Sequence, residues 1–203
     1  MVYRIIGYKR VLLFLKQVII TFNHTYELVL LLIVVCQSCS NHKINQKMKY
    51  RLDFHTEYNQ FYISDKTSVR ATGSINFWTT AAYKDRLAKE EGILGVGTQS
   101  YGHIKGELDI LNAANNKLDT NQYDHIVEGG IKVVSGVLQV LNCPISEIEL
   151  EIKLKPGTYR VRVYSSNLTN VDIDEDEGND QYKIEIWPDT NMERKVLKRY
   201  IIK

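Results

Sequence analysis

Three segments near the C-terminus alternate apolar and polar residues almost without error. Residues 148–154 read Ile-Glu-Leu-Glu-Ile-Lys-Leu, residues 158–164 read Thr-Tyr-Arg-Val-Arg-Val-Tyr, and residues 182–187 read Tyr-Lys-Ile-Glu-Ile-Trp. Successive side chains of a strand point to opposite faces, so a period of two marks a strand with one buried and one wet face. The pattern places Leu150 and Val161 on the apolar side and Glu149 and Arg160 on the wet side. It constrains the fold class and leaves the activity open.

The same reading extends upstream. Tyr50, Leu52 and Phe54 alternate with Arg51, Asp53 and His55, and Phe61-Tyr-Ile63 begins a second strand before the polar stretch 64–72. Residues 99–111 and 123–134 read as longer strands. Residues 137–143 are apolar on both faces, which marks a central strand. Ser135-Gly136 and Pro156-Gly157 each suit a tight hairpin turn, with proline presetting φ and glycine accepting φ > 0. Residues 79–90 hold Ala, Lys, Arg, Glu and Leu without Gly or Pro, and predict the one helix, capped by Thr79 or Thr80 and stopped at Gly92. The chain therefore reads as mainly β: an antiparallel β-sandwich of about eight strands with one short helix.

The sandwich is expected over residues 50–203, after an export leader at 1–39 and a linker at 40–49. Residues 28–36 form an apolar run of secretory length, too short to span a bilayer, which takes about 20 residues. Ser38-Cys39 follows and resembles a lipoprotein processing site with Cys39 as the lipidated residue, although Cys36 stands where such sites usually carry leucine. The expected location is the cell envelope, as a lipoprotein. Translation from Met48 would make the protein cytoplasmic, and an N-terminal membrane anchor is a third reading.

Without residues 1–39 the basic and acidic counts fall from 26 and 24 to 22 and 23, a net charge near −1. Such a domain carries no electrostatic footprint for nucleic acid. The three cysteines provide no disulfide framework, and Cys143 reads as a buried core thiol.

Few residues offer chemistry. The glycines at 92, 95, 97 and 102 follow a helix and precede a strand, the reverse of a phosphate-binding loop, and read as turns leading into a strand. His55, His103 and His125 lie on three different expected strands without metal-ligand spacing. No nucleophile motif is present. The expectation is a non-enzymatic protein with no cofactor and no metal. The most unusual local feature is acidic. Asp172, Asp174, Glu175, Asp176, Glu177 and Asp180 place six carboxylates in nine residues. The spacing begins like a calcium loop, but Gly178 comes one place late and Lys183 stands where a glutamate is needed. These six read either as a solvated loop or as a surface that docks a basic partner.

Several blocks together carry a resemblance. They are Tyr58-Asn-Gln-Phe-Tyr-Ile-Ser-Asp65, Tyr123-Asp-His-Ile-Val-Glu128, Ser135-Gly-Val-Leu-Gln-Val140, Leu154-Lys-Pro-Gly-Thr-Tyr-Arg-Val161 and Gln181-Tyr-Lys-Ile-Glu-Ile-Trp-Pro188. Their order over residues 50–190 resembles the competence protein J family of DNA-entry nuclease inhibitors, and a wider set of bacterial proteins of the same layout. The resemblance implies a small protein that binds and silences a nuclease, or an immunity-type partner of a toxin. Its partner would be a protein, with a membrane link only through lipid on Cys39. The alternative is an envelope lipoprotein with a structural role, or one that binds glycan on Trp187 and exposed tyrosines.

Overall fold

The computed structural model describes residues 48–69, 72–169 and 178–201. The leader, Cys39 and most of the expected linker lie outside the described residues. Among the described residues eleven strands run in the order β1 (Met48–Thr56), β2 (Gln60–Asp65), β3 (Leu87–Glu90), β4 (Ile93–Gly97), β5 (Gly102–Ile110), β6 (His125–Val133), β7 (Val137–Leu141), β8 (Ile148–Lys153), β9 (Gly157–Ser166), β10 (Gln181–Pro188) and β11 (Lys195–Lys198). Helix α1 (Thr80–Asp85) precedes β3. One sheet has the order β1-β5-β10-β9-β6-β11, the other β3-β4-β2-β7-β8. All pairs are antiparallel except β5 with β10. The fold is a mainly-β sandwich, as the alternation requires.

The period-two pattern fixes the faces correctly where the strands are regular. Leu52, Phe54, Ile104, Leu108, Val127, Val161, Val163 and Ile184 of the first sheet meet Phe61, Ile63, Leu94, Val96, Leu138, Val140 and Ile152 of the second. Each such side chain contributes about 1.5–3 kcal/mol relative to leaving it in water. β7 is flanked on both sides, by β2 and β8, as its two apolar faces imply.

Partner assignment is different. Ser135-Gly136 does not close a hairpin: β6 lies in the first sheet and β7 in the second. The same holds for the turn between β8 and β9. Each turn is an arch between sheets, and the two arches are joined by Leu154 N–H donating to Gly136 O at 2.9 Å. Alternation specifies which face a residue takes, not which strand lies beside it.

The expected helix over 79–90 covers only its first half. Thr79 caps it, its Oγ1 accepting from Ala82 N at 3.1 Å. Arg86 then takes a left-handed φ of 53° and ends it, and Leu87–Glu90 pairs with β4. Burial of Leu87 and Ala88 outweighs their helix propensity. Gly92 sits in the turn between β3 and β4 as expected, Gly95 and Gly97 lie on β4 instead of in turns, and Gly102 begins β5. Gly95 has a packing reason: a Cβ there would lie 2.9 Å from Phe77 and Trp78. Those rings, with Tyr62, Ala82, Ala88, Ile93, Leu141 and Cys143, form a second cluster. Cys143 is a buried free thiol, as expected.

The outer face of the first sheet was expected to be wet and is partly covered. Arg160 is 2% and Arg162 8% exposed. Glu128 receives Arg160 Nη2 at 3.0 Å and Arg162 Nε at 2.6 Å. Arg160 also donates to the carbonyls of Asn191 and Glu193, and Arg162 to that of Asn115. Tyr164 accepts from Arg162 and donates to Glu185 at 2.6 Å. Arg160 is therefore an interior residue despite its place in the alternation.

Arg160→Glu sets a carboxylate against Glu128 and should destabilise by roughly 3–5 kcal/mol, the range for breaking a buried pair. Val161→Asp should prevent folding, since its charge would have no partner. Leu150→Asp should cost less, because Leu150 is half-buried on an edge strand. Glu149→Lys, on an exposed side chain, should stay within about 1 kcal/mol. Urea unfolding of the four variants measures the ranking; an Arg160→Glu protein as stable as Glu149→Lys contradicts the buried layer.

Candidate interaction surface

One end of the sandwich gathers the turn between β1 and β2, the end of α1, the loop between β4 and β5, the turn between β7 and β8, and the end of β9. Every described non-glycine residue with positive φ lies there: Tyr58 (57°), Asn59 (52°), Arg86 (53°), Ser146 (60°) and Asn167 (61°). At the opposite end, the turns use Gly92 (71°) and Gly136 (73°) for the same region. A left-handed L-residue costs about 1–2 kcal/mol, and a tyrosine lacks the local hydrogen bonding that eases asparagine into it. Such strain persists only where its surroundings hold it.

The hydrogen bonds that hold it are specific. Asn59 O accepts from Thr98 N at 2.8 Å, and Asn59 Nδ2 donates to Gln99 O at 3.1 Å. Arg86 O accepts from Gly97 N at 3.1 Å, and the Arg86 guanidinium donates to Gln99 Oε1. Glu57 N donates to Cys143 O at 2.9 Å, and Cys143 N to Thr56 Oγ1 at 2.9 Å. Asn167 Nδ2 donates to Asn179 O at 3.1 Å.

Asp180 sits among these loops at 1% exposure. Its carboxylate accepts from Gln99 N at 3.2 Å, Ser100 N at 3.1 Å, Ser100 Oγ, and Tyr182 Oη at 2.5 Å. Charge-assisted bonds of this kind offset the cost of burying a carboxylate. Burial first, and then Asp180, pushes the Tyr182 hydroxyl well above its ordinary value. Asp180 was expected in the solvated acidic surface; it instead turns inward and anchors the loop at 98–101. Asp172, Asp174, Glu175, Asp176 and Glu177 lie outside the described residues, on the chain between Thr169 and Gly178.

Aromatic side chains are exposed between these braced loops. Tyr58 is 61%, Tyr83 65% and Tyr101 39% exposed. Tyr58 and Tyr101 meet edge to face at 6.2 Å, and Tyr83 stacks on Trp78 at 5.1 Å. A groove of about 320 Å³ is lined by Tyr58, Trp78 and Tyr83, with Arg86, Asn59 and Gln60 along it. Ile145, on the neighbouring turn, is also exposed. No sequence signal singles out Tyr58; only Asn59 carries one, since asparagine tolerates left-handed backbone.

The other candidates disperse. His55 and His103 are opposite each other on β1 and β5, and His103 Nε2 lies 2.5 Å from Asp53 Oδ1. His125 is on β6, with β10 and β9 between. Asp124 accepts from Leu168 N at 2.9 Å. Among the described residues no three His, Cys, Asp or Glu side chains converge as a metal site would need. Trp187, expected as an exposed platform for glycan, is buried, with Arg162 4.9 Å from its ring centre and its Nε1 donating to Asp189.

The fold has solved counterparts. The crystal structure of ComJ, inhibitor of the DNA-degrading activity of NucA from Bacillus subtilis, aligns with a TM-score of 0.54 and 17% identity, covering 70% of this chain and 98% of that one. The fold is similar to that of ComJ. A protein described as crocagin biosynthetic gene J aligns with a TM-score of 0.48 and 16% identity, over 70% of this chain and 98% of that one. No protein-family model and no curated protein matches the sequence.

The C-terminal segment is fastened to this end by His125. Its Nε2 bonds Asp85 O at 3.0 Å, and its Nδ1 accepts from Tyr200 N at 3.2 Å, so the ring works as a neutral imidazole. Arg86 and Arg199 lie nearby, and Asp85 pairs with Arg194 and Arg199. Burial, opposed by the Asp85 carbonyl and aided by the two guanidiniums, holds its pKa below 6.5. The unfolded chain binds a proton there before the folded chain does. Stability from neutral His125 is thus complete above about 6.5 and drains as pH falls below it. Urea midpoints should drop more steeply between about pH 7.5 and 5.5 in the parent than in His125→Gln. Equal slopes contradict the assignment.

Proposed function

We propose that this protein acts by binding, without catalysis, as an inhibitor or immunity-type partner of a nuclease or toxin. The observation that carries the reading is the likeness of its fold to ComJ, matched over 98% of that chain. The blocks quoted above follow the order expected of such inhibitors. The composition agrees: the near-neutral domain offers no basic track for DNA, while its densest run of charge is acidic. Nucleases hold DNA in basic clefts. Carboxylates at 172–177 would steer such a protein and occupy its phosphate positions through charge-assisted hydrogen bonds. We also infer a mature N-terminus at lipidated Cys39, which mass spectrometry of the expressed full-length chain tests; an unmodified product starting at Met48 overturns it.

Purified protein added to DNA-degrading extracts of its source cells should suppress cleavage. Replacing Asp174, Glu175, Asp176 and Glu177 with Ser should leave the fold intact, slow association and flatten its salt dependence. Inhibition should weaken at least about tenfold, or about 1.4 kcal/mol. A quadruple variant that inhibits like the parent removes the acidic segment from the mechanism. An extract whose nucleases are unaffected by the parent removes the reading itself.

A further inference from the structure

We propose that the strained end of the sandwich is the docking face, and that its occupant is a protein presenting arginine side chains to Tyr58, Tyr83 and Tyr101. The inference deepens the inhibitor reading and rests on it for the identity of the partner.

Tyr58 is the decisive residue. It occupies a left-handed position that glycine or asparagine would take at lower cost, and it is 61% exposed. The ring touches Tyr101 edge to face and is mostly exposed, so within the fold it offsets little of the strain. The turn is nevertheless held by Asn59 through Thr98 and Gln99, and that loop in turn by Asp180. The result is a rigid display of an aromatic ring. Rigid aromatic side chains lose little entropy on binding and dominate the energetics of protein interfaces.

The charge around the rings selects the partner. Tyr101 Oη donates to Glu57 at 3.3 Å, and Glu147 is exposed on the turn beside Cys143. Of the cations at this end, Arg86 is held by Gln99 and lies over Tyr200, and Arg199 is held by Asp85 and the Lys84 carbonyl, while the Lys84 side chain is exposed beside Tyr83. Partly exposed tyrosine rings beside carboxylates suit guanidinium groups, which stack on rings while pairing with acid. An anionic partner would meet Glu57 and Glu147 unfavourably.

The test uses an acetylated, amidated tri-arginine peptide as probe, with tri-glutamate as control, read by NMR of the tyrosine rings. Arginine should shift Tyr58, Tyr83 and Tyr101, and glutamate should not. Tyr58→Gly should keep or raise the melting temperature, because glycine relieves the strain, while weakening peptide binding and nuclease inhibition by roughly tenfold. A Tyr58→Gly protein that melts lower makes Tyr58 structural and overturns the proposal. So do peptide shifts confined to other residues, equal response to tri-glutamate, or ring shifts that follow self-association in sedimentation. If the parent silences no nuclease yet arginine maps to these rings, the surface stands and the nuclease reading falls. If the parent inhibits and Tyr58→Gly inhibits equally, the surface falls and the reading stands.

Discussion

Glu128 receiving both Arg160 and Arg162 is the interaction on which the outer half of the molecule depends. Without it, the first sheet would hold three charges with no partner across the strands, and the segments that cross it would lose their bonds to the two guanidiniums. With it, the two guanidiniums have donors left over, and these reach the carbonyls of Asn115, Asn191 and Glu193. Irregular chain is thereby fastened to a strand face by hydrogen bonds, alongside the packing of Met192 over Gly130. The segment at 189–194 leads into β11, which extends the sheet at β6 and carries Arg199 and Tyr200 toward α1. A buried pair of this kind is weak evidence for net stability. Its role here is positional.

The two ends of the sandwich are built differently. At one end, glycine turns and the carboxylate of Asp65, which accepts from Thr67 and Ser135, tie arches together without strain. At the other, five L-residues stand in left-handed backbone and Asp180 braces the loop beside them. A fold that needed only to close its strands would use the first construction twice. The difference supports the docking role proposed for the second end, where the exposed rings sit.

Much of the fold was legible because alternation reports burial directly. Val161, Val163, Ile184 and Ile186 are inside as their period requires. Arg160 and Trp187 were misplaced because period two separates two faces but does not say whether water or chain covers the second. Leu87–Glu90 was misassigned to helix because helix propensity is local, whereas its pairing with β4 is not. The candidate surface was legible only in outline. Asp180 stood among six carboxylates, and no local pattern distinguishes the one that turns inward. Tyr58 could not be found at all, since its significance lies in a backbone angle that sequence does not encode. The acidic run itself needed no structure, because a charge density is a property of composition.

The central claim is that binding takes place at the strained end. Hydrogen exchange on the complex with the proposed nuclease partner tests it most directly, since bound backbone exchanges more slowly. The account predicts new protection at residues 57–59, 83–86, 98–101 and 142–147, with the turns at 66–69, 91–92 and 134–136 unchanged. Protection confined to those latter turns, or to the face of the first sheet around Lys105 and Lys183, would contradict it.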